Sequence, residues 1–277
     1  MTLSLLRLAL FVLLCRGAWA GSRPVEIDAQ GLKLGAVVYE PEGVGPFPAV
    51  VMLHGCSGLY TSGGGLGAIY RLWAERLAAE GYVGLLVDSF GGRGIEEICT
   101  QARRGLSAAR DRAQDAYAGL DWLAAQAKVD RTRVYLLGWS NGGAAVLGAV
   151  DADAAILKER KAGFRAAVAM YPGCRGFVRK SGYRPAAPLL IQIGEADDWT
   201  PAERCRELLA SVPAGSGKVD LVIYPEAHHA FDRPGNKPIY REQVWNAARG
   251  ARGATVGGHP KARAAAVEKA LEFLKTH

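Results

Sequence analysis

Long apolar runs are missing from almost all of this 277-residue chain. A membrane-crossing helix needs about 20 consecutive apolar residues. Only residues 8–14 and their flanks approach that length, and Arg7 and Arg16 interrupt them. No Ser/Pro-rich linker and no internal repeat divides the chain, which excludes a string of modules and predicts one large core. Histidine is scarce as well, with five in the whole sequence. His228 and His229 are adjacent rather than at ligand spacing, and no Cys/His cluster accompanies them, so no metal site is expected. Cations outnumber acids, 34 to 27. The arginines are scattered, however, without the clustered face and interleaved aromatics of a nucleic-acid groove. They read as a solvated surface, and nucleic acid is excluded as a partner.

What is present begins with an export signal. Arg7 precedes the apolar residues 8–14, and Ala18-Trp19-Ala20 stands before Gly21, the pattern of a cleavable secretory peptide. Cleavage after Ala20 is expected to leave residues 21–277 as a single domain, periplasmic or secreted, with no membrane attachment. Cys15 follows two leucines where a lipidated cysteine requires a small residue, which argues against a lipoprotein.

Short continuous apolar runs at 49–53, 83–87, 133–137, 166–171, 188–193 and 219–224 have the character of parallel strands buried on both faces. A run at 32–39 suggests an early hairpin strand. Helical patterns lie between them at 69–80, closed by Gly81, and at 108–126, and a last one at 262–275 ends the chain. Another helix opens at Thr200, suited to the N-cap, with Pro201 in its first turn. Strands alternating with helices predict an α/β protein with a doubly wound, mostly parallel sheet, whose site lies beyond the carboxyl ends of the strands. Export leaves Cys56, Cys99, Cys174 and Cys205 in an oxidising compartment, where two disulfides are expected. Of the three pairings, Cys56 with Cys99 and Cys174 with Cys205 are favoured. Each pair follows consecutive strands, whose ends best suit a Cα separation of about 5.5 Å.

The strand at 133–137 leads into Gly138-Trp139-Ser140-Asn141-Gly142 and then a small-residue helix. Gly-x-Ser-x-Gly in that setting is a nucleophile elbow. The glycines leave room for a sharp turn, and the Asn141 N–H would point to where an acyl oxygen becomes negative. A carboxylate and an imidazole follow the next strands, in 194–201 and 225–231. The order Ser140, Asp197, His229 is that of a hydrolase triad, with Asp198 and His228 as rivals one residue away. A second oxyanion donor is expected from the loop 54–58, where the Cys56 N–H is the candidate and His54 a buttress. Arg93 is a candidate for binding a substrate carboxylate. Trp139, Tyr171, Trp199 and Phe231 flank these residues and are candidates to line an apolar pocket.

Together His54–Gly58, Asp88–Gly94, Gly138–Gly142, Gly194-x-x-Asp197 with Pro201, and His229-Ala-Phe231 resemble the dienelactone hydrolase family, over most of residues 21–277. The resemblance implies an α/β-hydrolase fold. It also selects Asp197, four residues before the proline, and His229, which precedes a small residue and phenylalanine. The elbow departs from the best-known members, which carry cysteine where this chain has Ser140. A serine is more like the general esterases and lactonases of the superfamily. The expected function is therefore hydrolysis of small-molecule carboxylic esters or lactones without a cofactor. Small acyl groups are expected because 172–187 is too short for a lid domain. Rival readings are a peptidase of prolyl oligopeptidase type, which would need a propeller-sized region this chain lacks, and a silent binding protein of the same fold.

Overall fold

The structure, a computed structural model, describes residues 19–277 except 161, 180 and 236. Most of the expected export signal therefore lies outside the described residues. A hairpin of β1 (Trp19–Ala29) and β2 (Leu32–Pro41) comes first. Then follow β3 (Phe47–Leu53), α1 (Ala68–Ala79), β4 (Val83–Val87), α2 (Ala113–Ala124), β5 (Val129–Trp139), α3 (Asn141–Ala149), α4 (Ala155–Lys158) and β6 (Ala167–Met170). The chain ends with β7 (Leu189–Gly194), α5 (Ala202–Ala210), β8 (Val219–Tyr224), β9 (Ile239–Asn246), β10 (Ala251–Val256) and α6 (Pro260–Thr276).

Eight strands form one sheet in the order β1-β2-β4-β3-β5-β6-β7-β8. It is antiparallel from β1 to β4 and parallel from β4 to β8, with helices flanking it. The continuous apolar runs in β4, β6 and β7 are buried along their whole length, as strands covered on both faces must be. Among the described residues no helix is long and apolar enough to cross a membrane.

Strand order fixes where the site can be. After β3 the chain passes through α1 to β4 on one side, and after β5 it passes through α3 to β6 on the other. Connections that diverge in this way open a crevice at the carboxyl ends of the two strands, and ligands of open α/β sheets bind there. Leu53 and Gly138 are register partners at that point, so the loop after β3 and the turn after β5 emerge side by side.

Three features differ from the sequence reading. The helix expected from Thr200 starts at Ala202 with Pro201 as its N-cap, because the Thr200 hydroxyl is committed to Asp197 instead. The helix at 108–126 opens with a π turn, Ala108–Arg112, before α2. The antiparallel pair β9 and β10 was not anticipated. Its residues 239–243 are all exposed, so it carries no buried alternation to mark it as a strand. The cysteines pair Cys56 with Cys99 and Cys174 with Cys205, at Cα separations of 4.9 and 5.1 Å.

Candidate active site

The turn between β5 and α3 is strained at one residue. Ser140 has φ +53° and ψ −112°, a conformation that costs a non-glycine residue free energy and persists only where its surroundings enforce it. Two glycines enforce it here. A Cβ on Gly138 would lie 2.4 Å from the Gly142 carbonyl oxygen, and one on Gly142 would lie 2.1 Å from that of Leu53. Only a chain bare at both positions can turn this tightly against β3. The Ser140 N–H donates to the Met170 carbonyl at 2.9 Å, which pins the apex to β6.

The histidine arrives from the loop after β8. Its Nε2 is 2.9 Å from Ser140 Oγ and its Nδ1 is 2.7 Å from Asp197 Oδ2. With the carboxylate at Nδ1, that nitrogen carries the proton and Nε2 is left to accept from the serine hydroxyl. His229 and Asp197 are both buried, and the histidine ring packs edge-on against Tyr171, with centroids 4.7 Å apart. Asp197 also accepts from the backbone N–H groups of Trp199 and Thr200 and from the Thr200 hydroxyl. Gly194 makes this meeting possible, since a Cβ there would lie 2.0 Å from the Ala227 carbonyl oxygen of the facing loop. The rivals point elsewhere. Asp198 accepts from the Thr255 N–H on β10, and His228 Nδ1 faces the Ala196 carbonyl at 2.9 Å.

On the other side of Ser140 the loop after β3 runs close overhead. A Cβ on Gly55 would be only 3.6 Å from that of Ser140. The Gly55 N–H donates to the Tyr70 hydroxyl, and the Ile98 N–H donates to the Cys56 carbonyl beside the Cys56–Cys99 bridge. His54 is fully buried, with Nδ1 2.7 Å from the Gly55 carbonyl and Nε2 accepting from the Ser89 N–H. Burial, with the Arg112 cation adding to it, pushes its pKa well below 6.5. It is a neutral brace for this loop.

The model of the dienelactone hydrolase family matches residues 34–277. The chain belongs to the dienelactone hydrolase family. It is similar to the quorum-quenching protein AidA of Acinetobacter baumannii, 26% identical over 212 residues. Those residues make up 75% of this chain and 62% of AidA, so the chain spans less than two thirds of that relative. Among solved structures it resembles a dienelactone hydrolase-like promiscuous phosphotriesterase from metagenomic libraries, with TM-score 0.67 and 22% identity, covering 94% of this chain and 99% of the other. It also resembles esterase 2 of Thermogutta terrifontis, with TM-score 0.61 and 21% identity over 93% and 95% of the two chains.

Not every residue singled out in the sequence faces the crevice of this family member. Arg93 is withdrawn from substrate binding, because its guanidinium is locked on Asp115 by two bonds of 2.8 and 2.9 Å and on the Ser89 carbonyl. Trp139 and Phe231 are core rather than pocket wall, with exposures of 1% and 0%. Tyr171 is equally buried and serves as a floor beneath His229. Trp199 alone of the four aromatics is part-exposed. Its ring lies 4.9 Å from that of His229, and its indole N–H donates to the Trp245 carbonyl of β9.

Among the buried ionisable residues that the sequence reading missed, two lie against the site. Asp232 accepts from the Trp73 and Trp139 indoles at 2.8 and 2.9 Å and from the Tyr171 hydroxyl at 2.8 Å. It therefore ties α1, the residue before Ser140 and the floor under His229 to one carboxylate. Arg112 donates to the Asn141 side chain and the His54 carbonyl. Asp232 directly follows His229-Ala-Phe231, and Arg112 precedes Ala116 by four residues on the inward face of the helix. The helical spacing of Arg112 was the one local signal, whereas Asp232 lies in a turn where no periodicity marks it.

Proposed function

We propose that this protein is an exported serine hydrolase, folded as one domain over residues 21–277, that cleaves carboxylic esters or lactones of small acyl groups. The observation that carries the reading is the unbroken hydrogen-bonded series from Ser140 through His229 to Asp197. In the acylation step His229 Nε2 takes the Ser140 proton as Oγ attacks the acyl carbon, and Asp197 stabilises the resulting imidazolium. The N–H groups of Cys56 and Asn141 are assigned to the acyl oxygen as it becomes negative. His229 then gives its proton to the departing alkoxide, leaving an acyl group on Ser140. A water deprotonated by His229 attacks that ester, and Ser140 recovers its proton as the carboxylic acid leaves. For a lactone, alkoxide and acid remain one molecule.

Two disulfides support export to an oxidising compartment. Small acyl groups are favoured because only residues 171–188 separate β6 from β7, so no lid domain is inserted there to cover a long chain. Each methylene left in water forfeits about 0.8 kcal/mol of transfer free energy. A second reading, phosphorylation of Ser140 by activated phosphotriesters, is favoured by two structural relatives, one a promiscuous phosphotriesterase and the other an esterase phosphorylated by paraoxon. Purified residues 21–277 should hydrolyse acetyl to butyryl nitrophenyl esters with higher kcat/KM than dodecanoyl or palmitoyl esters. Aminoacyl nitroanilides should remain untouched. Turnover of the nitroanilides alone would establish a peptidase, and a profile rising steadily to palmitoyl would disprove the small-acyl preference.

A further inference from the structure

Arg112 is a buried cation with no direct ion pair among the described residues. It is 0% exposed, yet no carboxylate among the described residues forms a salt bridge with it. The nearby Asp115 gives both of its oxygens to Arg93. The Arg112 guanidinium instead donates at 2.6 Å to Asn141 Oδ1 and at 2.7 Å to the His54 carbonyl, lies 5.1 Å from the centre of the Phe90 ring, and leaves its Nε–H without a partner. An arginine kept for packing alone would be matched by a carboxylate or replaced by an apolar side chain, since an unpaired buried charge is costly.

Its two acceptors are informative. His54 directly follows β3 and leads into Gly55 and Cys56, and Asn141 opens α3 directly after Ser140. These are the two arms to which the oxyanion donors were assigned. They already touch, since a Cβ on Gly142 would meet the His54 carbonyl oxygen at 2.5 Å. The π turn that carries Arg112 is pressed onto α3 at Gly148, where a Cβ would lie 2.5 Å from Ala109 Cα. The guanidinium is thus fixed by its own element and fixes two others.

We propose that Arg112 is a positioning residue that assembles the oxyanion hole: one rigid fork holds the Cys56 and Asn141 arms in register and keeps a positive charge, free of any direct salt bridge among the described residues, behind them. The inference rests on the ester-hydrolase reading for the identity of those arms. Burial brings the guanidinium pKa down to about 10, so it is still a cation at neutral pH. Such a charge, preorganised away from water, stabilises an oxyanion more than the neutral ester that precedes it, so its effect belongs to kcat rather than KM.

The test compares wild type with Arg112→Met, which keeps bulk and loses charge and donors, and Arg112→Lys, which keeps charge and loses the fork. The expected result with nitrophenyl butyrate is a kcat about 100-fold lower in the methionine variant and about tenfold lower in the lysine variant, with KM within about threefold throughout. A trifluoromethyl ketone, which reacts with the serine to mimic the tetrahedral oxyanion, should lose affinity in parallel with kcat/KM. Wild-type kcat in a folded Arg112→Met, or a lysine variant no better than methionine, overturns the proposal. Should the methionine variant fail to fold, the lysine variant decides, since an unchanged kcat or a loss confined to KM overturns it. Labelling of Ser140 by a fluorophosphonate, read by intact mass, separates the two readings. Labelling of wild type without ester turnover sinks the ester reading and leaves the clamp. Equal labelling rates in all three proteins sink the clamp and leave the ester reading.

Discussion

Asp197 and Asp232 are two buried carboxylates beside the same histidine, one bonded to the His229 ring and the other three residues along the chain from it. By burial alone they are twins, with exposures of 4% and 3%. Each collects at least three hydrogen bonds. Their donors differ. Asp197 faces backbone amides, a threonine hydroxyl and the His229 imidazole, whereas Asp232 faces two indoles and a phenol. Of all these groups only the imidazole can take up a second proton from the serine hydroxyl. In the proposed mechanism Asp197 meets a charge that appears during the reaction, while Asp232 sees dipoles that never change. Burial and bond count do not separate a carboxylate that acts from one that braces; the chemistry of the donor does.

The widest gap expected from this comparison lies in the residues Asp197 serves. Ser140→Ala should lower kcat by on the order of 10⁴-fold or more with little loss of fold. His229→Ala should match it within roughly tenfold, whereas His228→Ala, whose ring faces a loop carbonyl, should stay near wild type. Steady-state kinetics on the three proteins decides, and a ranking with His228 ahead of His229 would dissolve the distinction between the carboxylates as well.

The comparison itself is broken or sharpened by Asp197→Asn and Asp232→Asn. The first leaves the imidazole without its anion and should cost about 10³ to 10⁴-fold in kcat. The second leaves the triad intact and should cost under about tenfold in kcat. It removes one acceptor lone pair set from a buried network, however, and should lower unfolding free energy by about 1–3 kcal/mol. Chemical denaturation beside the kinetics gives both readings. A loss of about 10³-fold in Asp232→Asn with unchanged stability would make it a second working acid.

What the sequence made legible was what is local along the chain. The Ser140 turn is written by Gly138 and Gly142, whose missing Cβ atoms the turn requires, and Asp197 and His229 each sit within a few residues of a strand end. The sheet was legible because β4 and β6 are apolar from end to end and β7 is apolar but for Gln192. The illegible parts depend on long-range closure. Asp232 has donors 61 to 159 residues away. Arg112, read with the other arginines as surface, is buried because α3 and β3 converge on it from 29 and 58 residues away. Thr200 reads as a helix cap until Asp197 is placed beside it. In the pair β9 and β10 the first five residues of β9 are solvated and show no alternation, and the pair is held through Trp245 to Cys99 and through Asn246 to Asp198.

The smallest effect is the pH dependence that Asp232 should contribute. Burial pushes its pKa above 3.8, against the pull of its Tyr171, Trp73 and Trp139 donors. A carboxyl raised in the folded state holds its proton to higher pH than in the unfolded chain, so between 3.8 and the raised value the folded state binds more protons. Stability from this group is then fully present below 3.8 and is lost as pH rises through the folded value. An amide cannot titrate, which makes Asp232→Asn the reference. The stability advantage of wild type over that variant should shrink as pH rises from 3.8 through the folded value. Urea midpoints and slopes for both proteins across that range measure it. An advantage that grows with pH would mean the three donors outweigh desolvation. Asp232 would then be held as an anion no less firmly than a carboxylate beside an imidazolium, and donor chemistry would cease to distinguish the two.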